Sequence, residues 1–256
     1  MLVAAAVCPC PPLLVPEVAA GAAPEMDAAR AACTDALGVL AAARPDRLVV
    51  VGPAGPDRRG AHPEGTWGSF RGFGVALDVR LGRPGPDTES PAPSEDRLPP
   101  SDDRLPPSHD RLPPSLAVAA WLLRRTGWAD APIDALGVGE SLPAERCAEA
   151  GRDIAARAER VALLVMGDAS ACRTLKAPGY LDERAAPFDA SVARALAEAD
   201  IDALKALDVE LARQLMASGR VPWQILAGAA EGADLTGALL YEAAPYGVGY
   251  LVAAWS

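Results

Sequence analysis

The chain has 256 residues, half of them hydrophobic, enough for one large α/β domain with a sizeable core. Its 34 acidic against 24 basic side chains give a formal charge of −10, which argues against a surface built to track nucleic-acid phosphates. No run of about 18 apolar residues occurs, so a spanning helix is not expected, and nucleic acid and membrane both drop out as partners.

Leu2–Val7 is a short apolar run closed by Pro9, Pro11 and Pro12, which reads as a buried strand ending in a rigid loop. A lipoprotein signal ending at Cys8 is the competing reading, but it lacks a basic segment and the apolar run is shorter than about 7–15 residues. Pro24–Ala43 reads as a helix: Pro24 suits the first turn, Glu25 and Asp27 complement the dipole, and Met26, Ala29, Cys33, Leu37 and Leu40 recur at three or four. Arg47–Gly52 supplies a second buried strand, and Gly74–Leu81 alternates like a half-buried one.

From 82 to 115 Pro, Asp, Ser and Arg dominate. Asp96-Arg97-Leu98-Pro99-Pro100-Ser101 recurs with a period of seven at Asp103–Ser108 and Asp110–Ser115. Paired prolines in every copy exclude a coiled coil, so the segment is expected to be an exposed, disordered or polyproline-like insertion, with His109 a drifted repeat position. After it, Leu116–Arg125 reads as a helix, Ile133–Val138 as a strand, Pro143–Arg157 as a helix opened by Ser141, and Val161–Met166 as a buried strand. Residues 187–231 read as helical in several pieces, restarting at Asp200. Leu235–Tyr241 and Gly247–Trp255 read as two antiparallel strands. The expected architecture is one α/β domain over 1–256, interrupted at 82–115, with a mostly parallel central sheet, helices on both faces and a C-terminal antiparallel strand pair. Five cysteines form an odd set without the density of a disulfide scaffold, so reduced thiols and a cytoplasmic location are expected.

The candidate chemistry lies where strands run out into loops. Val7-Cys8-Pro9-Cys10-Pro11-Pro12 follows the first strand, Gly52-Pro53-Ala54-Gly55 the second, and Gly167-Asp168-Ala169-Ser170-Ala171 the strand at 161–166. With Ala177-Pro178-Gly179-Tyr180, Pro187-Phe188-Asp189 and the closing Ala244-Pro245-Tyr246-Gly247, this succession resembles the class III extradiol ring-cleavage dioxygenases, nearest to their B-subunit-type catalytic domain. The resemblance covers nearly the whole chain outside 82–115. It implies an Fe(II) site of two histidines and a carboxylate, open to oxygen and a catechol-like substrate, with a further histidine as acid/base.

Only His62 and His109 occur, and neither stands at a position the resemblance marks. Cys10 and Gly55 take the places of the two histidine ligands and Ala171 that of the acid/base; Ser218 and Gly219 are the nearest matches to the carboxylate. The leading expectation is therefore a dioxygenase-like protein that has lost Fe(II) and ring cleavage, binds no cofactor, and keeps a cleft around Cys10, Gly55, Asp168, Ser170 and Ala171 for a small molecule or a protein. For Asp168 and Ser170 two readings stand: groups lining the cleft, or residues shaping their own loop through local hydrogen bonds. The alternative is an atypical oxygenase holding zinc or iron on Cys10, His62 and Glu64. The resemblance further implies self-association or a companion subunit.

Overall fold

A computed structural model describes residues 1–82 and 111–256; the first two copies of the repeat and His109 lie outside the described residues. Seven strands form the main sheet. Four are parallel and central: β1 (Leu2–Cys8), β2 (Arg47–Pro53), β6 (Ile133–Val138) and β7 (Val161–Met166). Adding β3 (Gly60–Pro63), β8 (Gly237–Ala243) and β9 (Tyr250–Trp255), the order is β3-β6-β2-β7-β1-β9-β8, and these three pair antiparallel. A two-stranded ribbon of β4 (Trp67–Ser69) and β5 (Asp78–Arg80) stands apart. All six residues of β7 are buried, as an apolar run without alternation requires of a strand covered on both faces.

Two cores result. One packs α2 (Asp27–Ala42) and α3 (Pro114–Thr126) on one face of the sheet. The other packs α4 (Ala144–Ala155), α5 (Ala185–Glu198) and α8 (Arg220–Ala229) on the opposite face. The α/β class, the mostly parallel centre and the closing antiparallel pair are thus all present. No helix among the described residues is long and apolar enough to cross a membrane.

Local chemistry explains where expectation and structure part. Around Pro24 the chain makes 3-10 turns over Ala20–Met26, and α2 begins only at Asp27. Ser141 does not cap α4: Pro143 occupies the cap position without a side-chain bond. The strand expected over Gly74–Leu81 contracts to β5, because Arg71–Phe73 form a 3-10 turn that Gly74 ends at φ +82. The insertion also ends earlier than position 115. Leu112 is buried, its N–H bonds the Trp67 carbonyl at 2.8 Å, and Pro114 opens α3 at a position where no donor is lost.

Asp200 does restart the helix. Its carboxylate accepts from Ala203 N–H at 2.9 Å and begins α6 (Ile201–Lys205). Asp208 repeats the device for α7 (Val209–Gln214), where it accepts from Leu211 N–H at 2.7 Å.

Candidate functional site

The register places the carboxyl ends of four parallel strands side by side, Cys8 opposite Met166 and Pro53 opposite Val138. Each then releases one loop at the same edge: Cys10 after β1, Ala54 and Gly55 after β2, Glu140 and Ser141 after β6, Asp168 after β7. In an open α/β sheet this edge is where ligand crevices form. An open cavity of about 620 Å³ lies here, its lining including Cys10, Gly55, Arg59, Ser115, Glu140 and Arg213 among mostly apolar walls. A second cavity of about 20 Å³, lined by Ser218 and Arg220, shares Glu140 and Arg213 with the first. Its volume suits a single water-sized occupant.

Cys10 and Asp168 are locked together. The backbone N–H of Cys10 donates to Asp168 Oδ1 at 2.8 Å, and the backbone N–H of Asp168 donates to Ser218 Oγ at 3.1 Å. Burial, aided by Asp168 and Glu140, pushes the Cys10 thiol well up, with Ser218 opposing, so the sulfur stays protonated at neutral pH. Burial also pushes the Asp168 carboxyl up to about 6 against the opposing Cys10 N–H bond. Tyr250, at the start of β9, has its phenol raised by burial and then by Asp168 and Cys10.

The shift on Asp168 has a stability consequence of definite sign. Below pH 4 the carboxyl is protonated in both folded and unfolded chains, and nothing is lost. Between about pH 4 and 6 the unfolded chain ionises first, so the fold loses stability, and above 6 the loss is complete. Asp168→Asn keeps the acceptor for Cys10 and removes the charge. Its stability relative to wild type is expected to rise across that window, by on the order of 1–3 kcal/mol. Urea melts at pH 4 and pH 8 check this; a difference that does not change between them would contradict it.

Ser170 and Ala171 do not line the cavity. Ser170 is fully buried, with its N–H donating to Asp189 Oδ1 at 2.8 Å and its hydroxyl to Oδ2 at 2.9 Å; Arg173 Nη1 adds a third bond at 2.9 Å. Ala171 bonds through its N–H to the Leu215 carbonyl at 2.8 Å and accepts from Gly179 N–H at 2.9 Å. Both residues knot the loop after β7 through these bonds. Asp168 serves its neighbouring loop instead.

Nor do Cys10, His62 and Glu64 come together. His62 Nε2 sits 3.0 Å from the Arg58 carbonyl oxygen, which only accepts, so this nitrogen carries the proton. It pairs at Ala135, inside the β3–β6 edge, and is buried. The Glu64 carboxylate accepts from Ile133 N–H at 3.4 Å, at the amino end of β6, whereas Glu140 and Cys10 sit at the carboxyl edge. A transition-metal donor must reach within about 2–2.5 Å of a common point. Among the described residues no three His, Cys, Asp or Glu side chains are placed to hold a metal ion. A buried protonated thiol, a glycine, an alanine tied into a knot and a serine hydroxyl are a poor fit for the Fe(II) that the resemblance implies. All five cysteines are free and buried; Cys172, bonded to the Leu215 carbonyl at 3.5 Å, belongs to the opposite core from Cys8 and Cys10.

One structural residue of the site gives no sign of itself in the sequence. Arg220 is buried at the start of α8. Its guanidinium donates to the Leu142 carbonyl at 2.6 Å, to the Glu140 carbonyl and to Gln224 Oε1 at 3.1 Å. Gln224 Nε2 in turn reaches the carbonyls of Lys205 and Leu207 at 3.0 and 3.2 Å. One buried guanidinium thus ties the Glu140–Ser141 wall to α8 and, through Gln224, to the segment leading into α7. Glu140 itself was findable, since it follows a strand at the same edge as Cys10 and Asp168. Arg59, Arg213 and Arg220 arrive from loops and helices whose approach no local pattern reveals.

No family model matches this sequence, and no curated protein matches it. Among solved structures, the crystal structure of uncharacterized protein JW3007 from Escherichia coli K12 is similar over 99% of both chains, with 18% sequence identity and a TM-score of 0.51. At that identity the likeness shows the fold alone.

Proposed function

We propose that this chain is a metal-free protein of the class III extradiol dioxygenase type that binds a small molecule at the carboxyl edge of its sheet. The observation that carries the reading is the meeting of Cys10 and Gly55, two positions where the resemblance calls for histidine ligands, in one open cavity. There they offer one protonated thiol and no second donor. A cavity of this size with mostly apolar walls and a few polar groups has the character of a small-molecule site. Arg59 and Arg213 give its lining two positive charges, and Glu140 one negative. A companion chain or self-association, which the resemblance implies, is compatible with such a site and is read out by the solution mass.

Gly55 provides the test. A Cβ there meets nothing within 4 Å, and its φ of −65 is open to any residue, so Gly55→Phe adds bulk to the lining without strain. The expected result is an unchanged melting temperature with at least tenfold weaker binding of the apolar fluorescent probe anilinonaphthalene sulfonate. Equal binding by both proteins would count against the cavity.

A further inference from the structure

We propose that this cavity takes an aliphatic amino acid in its zwitterionic form, with the carboxylate on Arg59, the ammonium on Glu140 and the side chain against the apolar walls. The proposal rests on the cavity reading above and adds the class of ligand to it.

Arg59 is a seated cation without a partner. It follows the Pro56–Arg58 turn in the loop after β2 and lies on the cavity lining. Its guanidinium rests against the main chain of Gly139, just past the end of β6: a Cβ built on Gly139 would stand 2.5 Å from Arg59 Nε and 2.6 Å from Cζ. A side chain at 139 would push the guanidinium off this seat. Among the described residues the Arg59 guanidinium has no hydrogen bond and no ion pair. A planar guanidinium held in this way offers a carboxylate two parallel N–H bonds.

Glu140 is the matching anion. It stands one residue beyond that seat, on the same lining, and its main chain is fixed because its carbonyl accepts from the buried Arg220 guanidinium. Its carboxylate likewise has no hydrogen bond or ion pair among the described residues, so it is not joined to Arg59 although both belong to the same wall. The second arginine of the lining is already answered: Arg213 Nε donates to Glu210 Oε2 at 2.8 Å and Nη2 to Oε1 at 2.5 Å. One cation and one anion are left over. A zwitterion supplies the opposite charge to each.

The rest of the site selects among zwitterions. Pro53, Ala54, Pro56, Pro114 and Val209 make the walls aliphatic, and among the described residues no aromatic side chain lies on the lining to stack on a ring. About 620 Å³ is ample for an aliphatic side chain beside the two charged groups. Zero net charge matters as well. The chain carries −10, which opposes the approach of an anion and leaves a zwitterion unaffected.

Norleucine, hexanoate and pentylamine test this, because they share a straight aliphatic body and carry both charges, the negative one alone and the positive one alone. Ligand-observed proton NMR titrations give the three affinities on wild type, Arg59→Gln, Glu140→Gln and Gly139→Ala. Wild type is expected to bind norleucine at least about tenfold tighter than either singly charged probe. Arg59→Gln is expected to weaken norleucine and hexanoate by about tenfold or more and to leave pentylamine within about threefold. Glu140→Gln is expected to weaken norleucine and pentylamine by as much and to spare hexanoate. Gly139→Ala keeps both charges but displaces the guanidinium, so it is expected to follow Arg59→Gln. Both charged side chains are exposed, and the melting temperatures are expected to stay at the wild-type value. Equal affinity of wild type for the three probes, tightest binding of a singly charged probe, or norleucine binding that survives both charge removals overturns the proposal. If norleucine does not bind while Gly55→Phe still weakens the fluorescent probe, the ligand class alone falls. If Gly55→Phe leaves the fluorescent probe unchanged, the cavity reading falls with it.

Discussion

Arg220→Ala is expected to destabilise the fold by about 3–5 kcal/mol, lowering Tm by about 10 °C, and to abolish binding in the large cavity. The guanidinium is buried, and its charge faces carbonyl oxygens and an amide oxygen, with no carboxylate among its hydrogen-bond partners in the described residues. Burial accordingly holds its pKa below the usual arginine value, although an arginine stays charged in any accessible range. Removing it strands Gln224 Oε1 in the protein interior, a desolvated acceptor that loses a charge-assisted bond, and unties the half-buried Glu140 and Leu142 carbonyls of the cavity wall. The damage also has a direction. Glu140 and Ser141 form one wall of the cavity, and Val209 and Arg213, reached through Gln224, form another. Arg220→Lys keeps the charge but cannot span the fork, so it is expected to fall between wild type and Ala in Tm and to stay nearer Ala in probe binding. Thermal melts of the three proteins, with titrations of the same fluorescent probe, check this. An Arg220→Ala protein that melts with wild type would contradict the clamp.

Gly228→Val is expected to cost more than about 3 kcal/mol, and the protein is expected to be recovered mainly as aggregate. Helices α4 and α8 cross in backbone contact through two glycines. A Cβ at Gly228 would overlap the Ala148 carbonyl, and one at Gly151 would overlap the Ile225 carbonyl. Those obstacles are main-chain atoms, which cannot rotate aside. Relief requires one helix to lift, and α8 carries Arg220 at its start and the fully buried Trp223 and Ile225 in its body. Gly228→Ala, with one methyl, is expected to lose less but still to melt several degrees below wild type. Circular dichroism melts of both variants measure the effect, and an unchanged Tm for Val would refute the glycine contact.

The parts of the molecule legible in the sequence are those where a local pattern has one outcome. Val161–Met166 offers six apolar residues in a row, and only a strand covered on both faces accommodates them. Asp200 places an acceptor where a helix restarts. The boundary of the Pro-rich segment was hidden because the same letters serve two ends. In the third copy of the repeat Leu112 is core and Pro113-Pro114 opens a helix, a use that composition cannot separate from an exposed loop. Strands β3 and β4, four and three residues long, are too short for any periodicity to register.

The candidate site divides in the same way. Cys10, Gly55 and Asp168 follow strand ends, and strand ends of a parallel sheet share one edge, so their meeting follows from order alone. Ser170 and Ala171 lie only two and three residues beyond Asp168, yet the loop turns them inward. What turns it is the bond network to Asp189 and Leu215, residues 19 and 44 positions away from their partners. Arg220 faces carbonyls about 80 positions earlier, a pairing without a sequence signature.

Anaerobic calorimetric titration of Fe(II) into the protein, followed by oxygen uptake with catechol, decides whether the cavity holds a metal site. With one protonated thiol and a glycine at the expected ligand positions, and His62 held on the Arg58 carbonyl, no saturable Fe(II) site and no oxygen consumption above the metal-only control are expected. One Fe(II) bound per chain, with oxygen consumed as catechol is cleaved, would contradict that expectation.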